Sequence, residues 1–97
     1  MENDIRKRNV ILYDPHPGIG GALVPLPQPM KQAADRLNGT CMKLEDALTQ
    51  LEPIAQSVNG DVHLSIRDRF IGFGYCSMTP LGKARHLYRL IRYREEA

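Results

Sequence analysis

The sequence predicts a single small α+β domain in which a short N-terminal strand, a long amphipathic helix, a β-hairpin and a basic C-terminal helix follow one another. Three patterns predict it: a β-favourable run near residue 10, apolar residues at steps of three and four between 30 and 58, and period-two alternation from residue 61. With 97 residues, 42% of them hydrophobic and 25% charged, the chain suits one globular domain over residues 1–97.

The first element is the run RNVILYD at residues 8–14, which predicts a short strand buried on both faces and ended by Asp-Pro. Residues 15–29 follow, and they hold five of the seven prolines and three of the eight glycines. This composition excludes a helix or a central strand of useful length. The segment is therefore predicted to be a Pro/Gly-rich loop or arm, and long irregular segments of this kind are often contact surfaces.

The longest apolar pattern runs from Met30 to Val58 and predicts one amphipathic helix. The pattern keeps its phase through Gly39 and Pro53, whereas an independent second helix would have no reason to do so. Two alternatives stay open: a left-handed cap at Asn38-Gly39, and a kink or restart at Pro53. A continuous helix is favoured over a break, at a cost of about 1 kcal/mol for the interior glycine.

A helix of this length has a consequence for assembly. It would be roughly 44 Å long, which equals or exceeds the width of a domain of this size. Its apolar stripe therefore needs a fold-back at a kink or a second copy of the chain, and a homodimer is favoured. The predicted dimerisation contacts are Leu37, Leu44, Leu48 and Leu51.

The remaining elements are a hairpin and a helix. Val62 and Leu64 alternate with polar residues, Asp68-Arg69 marks a turn, and the second strand places Phe73 on the face opposite Phe70. Thr79-Pro80 then matches an N-cap followed by proline at the first helical position, so residues 81–97 are predicted to be a helix.

Candidate binding residues concentrate at the C-terminal end. Arg85, Arg89 and Arg92 share one face of the predicted helix, and arginine suits recognition of phosphate or carboxylate. A solvated helix face is an equally weighted alternative. The octet IGFGYCSM partly matches the Gly-aromatic-Gly-aromatic strand pattern of RNA-binding sheets, although an ordinary core strand explains it more often. The residues predicted to bind a protein partner or nucleic acid are Lys83, Arg85, Arg89, Arg92, Arg67, Arg69, Phe73 and Tyr75.

Catalytic and metal chemistry are not indicated. The three histidines lack metal-ligand spacing, and the two cysteines are far apart in apolar contexts, so no metal, disulfide or cofactor is expected. The formal net charge of +2 is too small to imply polyanion binding by itself. No signal peptide or transmembrane segment is indicated, and a cytoplasmic protein with no membrane partner is expected.

These patterns favour a small non-enzymatic regulatory or inhibitory protein that binds a macromolecular protein partner, as a homodimer. The alternative is a nucleic-acid-binding regulator that uses the basic C-terminal helix and the hairpin. Small proteins without a catalytic constellation are often regulators of larger machines, including those encoded by mobile elements. That origin is a general expectation and does not follow from particular residues.

Overall fold

A computed structural model describes residues 2–13 and 26–95. Its elements are α1 (Glu2–Arg6), β1 (Asn9–Tyr13), α2 (Gln28–Leu37), β2 (Cys41–Lys43), α3 (Leu44–Ser57), β3 (Gly60–Ser65), β4 (Phe70–Thr79) and β5 (Gly82–Glu95). The five strands form an antiparallel half-barrel sheet, which short helices accompany. The predicted long helix and C-terminal helix are therefore wrong.

The sheet has the strand order β2-β1-β5-β4-β3, so the last strand of the sequence lies in the middle. One side of β5 pairs with β1, from Val10–Glu95 to Tyr13–Arg92. The other side pairs with β4 along nearly the whole of both strands. The N-terminal strand, the β3–β4 hairpin and the C-terminal strand are thus joined in one continuous sheet.

Helices α2 and α3 cover one face of this sheet and form the core with it. Five hydrophobic residues of α2 and α3 are wholly inaccessible to solvent: Met30, Ala33, Leu44, Ala47 and Leu51. The sheet contributes residues that alternate along each strand, because successive side chains point to opposite faces. The buried hydrophobic strand residues are Val10, Leu12, Ile71, Phe73, Leu90, Ile91 and Tyr93.

The predicted continuous helix is divided at Asn38-Gly39. The unbroken apolar phase had favoured a continuous helix over this alternative. Gly39 adopts a φ of +81°, a conformation that glycine reaches without steric cost, and its N–H donates to the Leu12 carbonyl at 2.7 Å. The Leu12 N–H in turn donates to the Thr40 carbonyl at 2.9 Å. Backbone groups of β1 would otherwise lack these partners, so tertiary hydrogen bonds favour the break. Pro53, by contrast, lies inside α3 and does not end it.

The predicted C-terminal helix is strand β5. The Thr79 hydroxyl donates to the Gly82 carbonyl at 2.7 Å, so Thr79-Pro80 begins a tight hairpin turn and does not cap a helix. Gly82 completes the turn with a φ of +123°, which is costly for any other residue. From there the side chains alternate between half-buried and exposed as far as Arg89, as expected for period two.

A β-bulge interrupts that alternation. Ile91 pairs with Ile71 and Arg89 with Gly72, so Leu90 is an extra residue without a partner on β4. Leu90 and Ile91 are both buried in the core. The bulge therefore shifts the phase of β5 by one residue, and this shift decides which side chains share a face.

Three further predictions concern the hairpin turn, the Pro/Gly-rich arm and membrane-spanning helices. The β3–β4 hairpin turns at the predicted Asp68-Arg69. Of the predicted arm at residues 15–29, residues 15–25 lie outside the described residues, and Gln28 already begins α2. In the described part of the chain, no helix has both the length and the apolar character needed to cross a membrane.

The proposed dimer loses its structural premise. Leu37, Leu44, Leu48 and Leu51 are all buried in the core of a single chain, each less than 5% exposed. The apolar stripe that seemed to need a second copy is covered by this chain's own sheet. Dimerisation itself stays a prediction, but these leucines no longer support it.

We expect Gly60→Ala to destabilise the fold by about 1–3 kcal/mol, the usual cost of overpacking a core. An added Cβ would collide with the ring of Phe73, which is buried and cannot move away, and with the Gly74 carbonyl. Gly74→Ala is the matched control, because its methyl would meet only the mobile ends of Arg85 and Asp61. Urea unfolding of both variants measures the difference, and equal stabilities would contradict the packing described here.

Candidate functional site

The face of the sheet opposite α2 and α3 carries most of the exposed strand side chains, and we call it the open face. Cross-strand partners share a face, so the register defines its members. They are Asn9, Ile11 and Tyr13 of β1, Cys41 and Lys43 of β2, Asp61, His63 and Ser65 of β3, Phe70, Gly72, Gly74, Cys76 and Met78 of β4, and Lys83, Arg85, Leu87, Arg89, Arg92 and Arg94 of β5.

Charge is strongly segregated between the two layers. All five cations of β5 belong to the open face, where Asp61 is the only acidic residue among the described members. Helix α3, on the opposite side, contains Glu45, Asp46 and Glu52 and no basic residue. The formal net charge of +2 thus conceals a positive face and a negative layer.

The bulge at Leu90 aligns the cations. Arg85, Arg89 and Arg92 were predicted to share a helix face at steps of four and three. On a regular strand the step of three would place Arg92 opposite the other two. The extra residue at Leu90 restores the phase, since the three arginines pair with Cys76, Gly72 and Phe70, which alternate regularly on β4. They therefore share a face, as the sequence predicted, for a different structural reason.

Arg85 is held by a carboxylate on the next strand but one. Its Nη2 donates to the two carboxylate oxygens of Asp61 at 2.9 and 3.0 Å, and this hydrogen bond, with the negative charge, raises the pKa of Arg85. His63 Nε2 lies 3.1 Å from Asp61 Oδ2. The guanidinium passes over Gly74, where any side chain would collide with it. Gly74 thus allows a charge pair to form across β4.

Aromatic rings lie among these cations. The Arg89 guanidinium lies over the Phe70 ring, 5.2 Å from its centroid, in a cation–π arrangement. Arg92 lies between Tyr13 and Phe70 in one cross-strand row, and its Nη2 donates to the Asp68 carbonyl at 3.1 Å. Tyr13 is 37% exposed. The open face therefore combines positive charge with planar surfaces.

The two aromatic residues predicted for base stacking lie on the other face. Phe73 is buried in the core and stacks on Tyr75 and Tyr88, with ring centroids 6.3 and 6.0 Å away. Burial raises the pKa of Tyr88. Phe70 and Tyr13, which the sequence analysis did not select, occupy the position proposed for these rings. Strand alternation was the available signal, because it placed Phe70 opposite Phe73.

The remaining predicted cations are distributed over two places. Lys83 belongs to the open face near the β4–β5 turn. Arg67 and Arg69 lie in the β3–β4 turn and are exposed, at the end of the sheet where Arg92 bonds Asp68. The binding roles of all these cations stay predictions.

The described residues contain no cluster of three His, Cys, Asp or Glu side chains able to hold a metal ion. Away from Asp61, the His86 ring nitrogen Nε2 lies 2.8 Å from the Ser77 hydroxyl. Comparison with protein-family models, with curated proteins and with solved structures finds no match to this chain.

Proposed function

We propose that this protein binds single-stranded nucleic acid on the open face and catalyses no reaction. The observation that supports the proposal is the placement of all five β5 cations on a sheet face that neither α2 nor α3 covers, with Phe70 and Tyr13 beside Arg92. We expect the protein to act as a regulator in the cytoplasm, in line with its small size.

The chemistry of a nucleic-acid strand matches the two components of this face. Arginine and lysine neutralise phosphates and release counterions, which provides affinity without sequence preference. Aromatic rings and guanidinium planes stack on bases, each contributing about 1–3 kcal/mol. Phe70 with the guanidinium of Arg89 above it forms such a platform, and Tyr13 offers a second ring on the far side of Arg92.

A single strand suits this face better than a duplex does. Bases within a duplex are stacked on one another, so their planar surfaces cannot reach rings on a sheet. An unpaired strand exposes those surfaces and can follow the cations of β5. The side chains from Arg85 to Arg94 extend over roughly 30 Å at about 3.3 Å per residue. That length accommodates several nucleotides.

A protein partner is the second candidate. Leu87 is 72% exposed and lies between Arg85 and Arg89, and an apolar residue flanked by arginines is typical of protein interfaces. An acidic surface of a larger protein would complement the same cations, which agrees with a regulatory or inhibitory role. Homodimerisation stays a prediction in this case as well. Nucleic acid is favoured because Phe70 and Tyr13 add planar surfaces that charge pairing does not need.

We expect the double variant Arg89→Gln/Arg94→Gln to bind a fluorescent single strand at least about tenfold more weakly than the wild type at moderate salt. The slope of log affinity against log salt should become shallower by about 1.4, or 0.7 per lost phosphate contact. Fluorescence anisotropy titrations at several salt concentrations, with both DNA and RNA probes, measure both quantities.

The matched control is Lys31→Gln/Arg36→Gln, which removes the same charge from exposed positions of α2. It should bind the probe almost as tightly as the wild type. Equal losses in the two double variants would show that only net charge matters and would contradict a site on the open face. Absence of binding by the wild type at low salt would contradict the function itself.

We expect Asp61→Asn to bind the strand about two- to tenfold more tightly, because it removes the lone acidic side chain of the open face and releases Arg85 for phosphate. The charge-matched control is Glu52→Gln on α3, which should leave affinity unchanged. The Arg85–Asp61 pair is exposed, so the free energy of unfolding should hardly change. Weaker binding by Asp61→Asn would show that the carboxylate assists the ligand.

We expect Phe70→Leu to lower affinity by about 5- to 150-fold, the equivalent of 1–3 kcal/mol for one stacked base. The control is Tyr75→Leu, which removes a half-buried ring from the helix-covered face and should leave affinity unchanged in folded protein. Thermal unfolding of both variants shows whether they are folded at the assay temperature. If only Tyr75→Leu lost affinity for the strand, the stacking surface would lie on the helix-covered face, and the site proposed on the open face would be contradicted.

A further inference from the structure

The β4–β5 hairpin extends beyond the rest of the sheet. The last residue of β4 paired with β3 is Tyr75, opposite Gly60, and β1 pairs only with the C-terminal end of β5. Residues 76–85 therefore form a two-stranded ribbon with no third strand among the described residues. Four residues of β4 beyond Tyr75 give it a length of about 14 Å. We call residues 76–85 the ribbon.

The tip of the ribbon is apolar. Leu81 is completely exposed to solvent, Met78 is 78% exposed, and Pro80 lies between them in the turn. The described part of the chain has no other large hydrophobic side chain as exposed as these two, apart from Leu87. Exposed apolar side chains gathered at one projecting point indicate contact with another molecule.

Positive charge adjoins this apolar tip. Lys83 pairs with Met78 and Arg85 with Cys76, so both cations point to the same side as Met78. That side is continuous with the open face, where Arg89 and Arg92 follow along β5. A ligand bound along β5 would therefore meet cations over the whole strand and reach an apolar end at Leu81.

We propose that the ribbon is a wedge that packs against the end of a duplex and unstacks its terminal base pair, so that the ligand is a single strand adjoining paired nucleic acid. This inference rests on the proposed function. A terminal base pair presents a flat apolar surface, and Leu, Met and Pro are among the side chains that proteins place against or between base steps. Lys83 would contact a phosphate at the junction while the open face binds the unpaired strand.

Charge favours nucleic acid over a second copy as the partner of the ribbon. Two ribbons pairing with each other would bring Lys83 and Arg85 of both copies together, and like charges on paired strands are destabilising. A polyanion instead complements both cations while the tip buries Leu81. The ribbon and the open face then recognise two parts of one ligand.

The test compares three probes: a single strand of about twelve nucleotides, a blunt duplex, and the same single strand as an overhang on that duplex. Anisotropy with DNA and RNA versions gives affinities, and 2-aminopurine in the terminal pair reports unstacking. We expect wild-type protein to bind the overhang about tenfold more tightly than the single strand, as burial of much of a leucine side chain would produce. The 2-aminopurine fluorescence should rise on binding.

Leu81→Ser should abolish this preference and the fluorescence rise while leaving single-strand affinity unchanged. The matched control is Ile66→Ser, which removes an exposed apolar side chain from the β3–β4 turn and should retain both signals. Equal wild-type affinity for overhang and single strand would overturn the wedge and leave the proposed function standing. No wild-type binding to the single strand would overturn the proposed function first.

Two further outcomes would assign the tip to another partner. Analytical ultracentrifugation that shows a wild-type dimer and a Leu81→Ser monomer would overturn the wedge in favour of a second copy. Binding to vesicles of anionic phospholipid that depends on Leu81 would overturn it in favour of a membrane surface. Monomeric wild-type protein that ignores such vesicles and prefers the overhang supports the wedge.

Discussion

The rest of the structure depends on the pairing of β5 with two neighbours at once. This C-terminal strand bonds β1 on one side and β4 on the other, and its partners in β1 lie 79 to 85 positions away in the sequence. Only when it is in place do the apolar sides of β1 and β4 form one surface for α2 and α3 to cover. Contacts of such sequence separation require closure of long loops, and their formation is expected to be a late and cooperative step in folding.

The same strand gives the sheet two different faces. The bulge at Leu90 lets two consecutive residues, Leu90 and Ile91, enter the core, and it also keeps the arginines on either side of it in one phase. Packing and charge placement are therefore coupled through one extra residue. Without the bulge, Arg92 would point towards the helices or Ile91 towards solvent, and burial of an unpaired guanidinium is strongly unfavourable. The open face follows from the core and is not an independent feature.

The sequence was informative where structure is decided locally and misleading where distant partners decide it. The β3–β4 hairpin follows from alternation and a turn at Asp68-Arg69, which act within a few residues. The break at Gly39 depends on hydrogen bonds to Leu12, so no local signal could rank it above a continuous helix. For β5 a local signal existed, because the cations at 83, 85 and 89 follow the period-two spacing of a strand. The phase shift at Leu90 breaks that spacing, and the same residues fit a helical pattern equally well.

In the candidate site, too, the part that depends on local sequence could be predicted and the part that depends on distant strands could not. A cation cluster at Arg85, Arg89 and Arg92 could be predicted, because charge is visible in the sequence whatever element carries it. Its aromatic neighbours could not, since they come from β1 and β4 and meet the arginines only through sheet register. Assigning Phe73 to the site followed a strand pattern that fits a core residue equally well. A face that combines Tyr13 with Phe70 exists only because β5 separates their two strands and places Arg92 between them, so the strand that holds the fold together also places the aromatic rings and cations of the proposed site side by side.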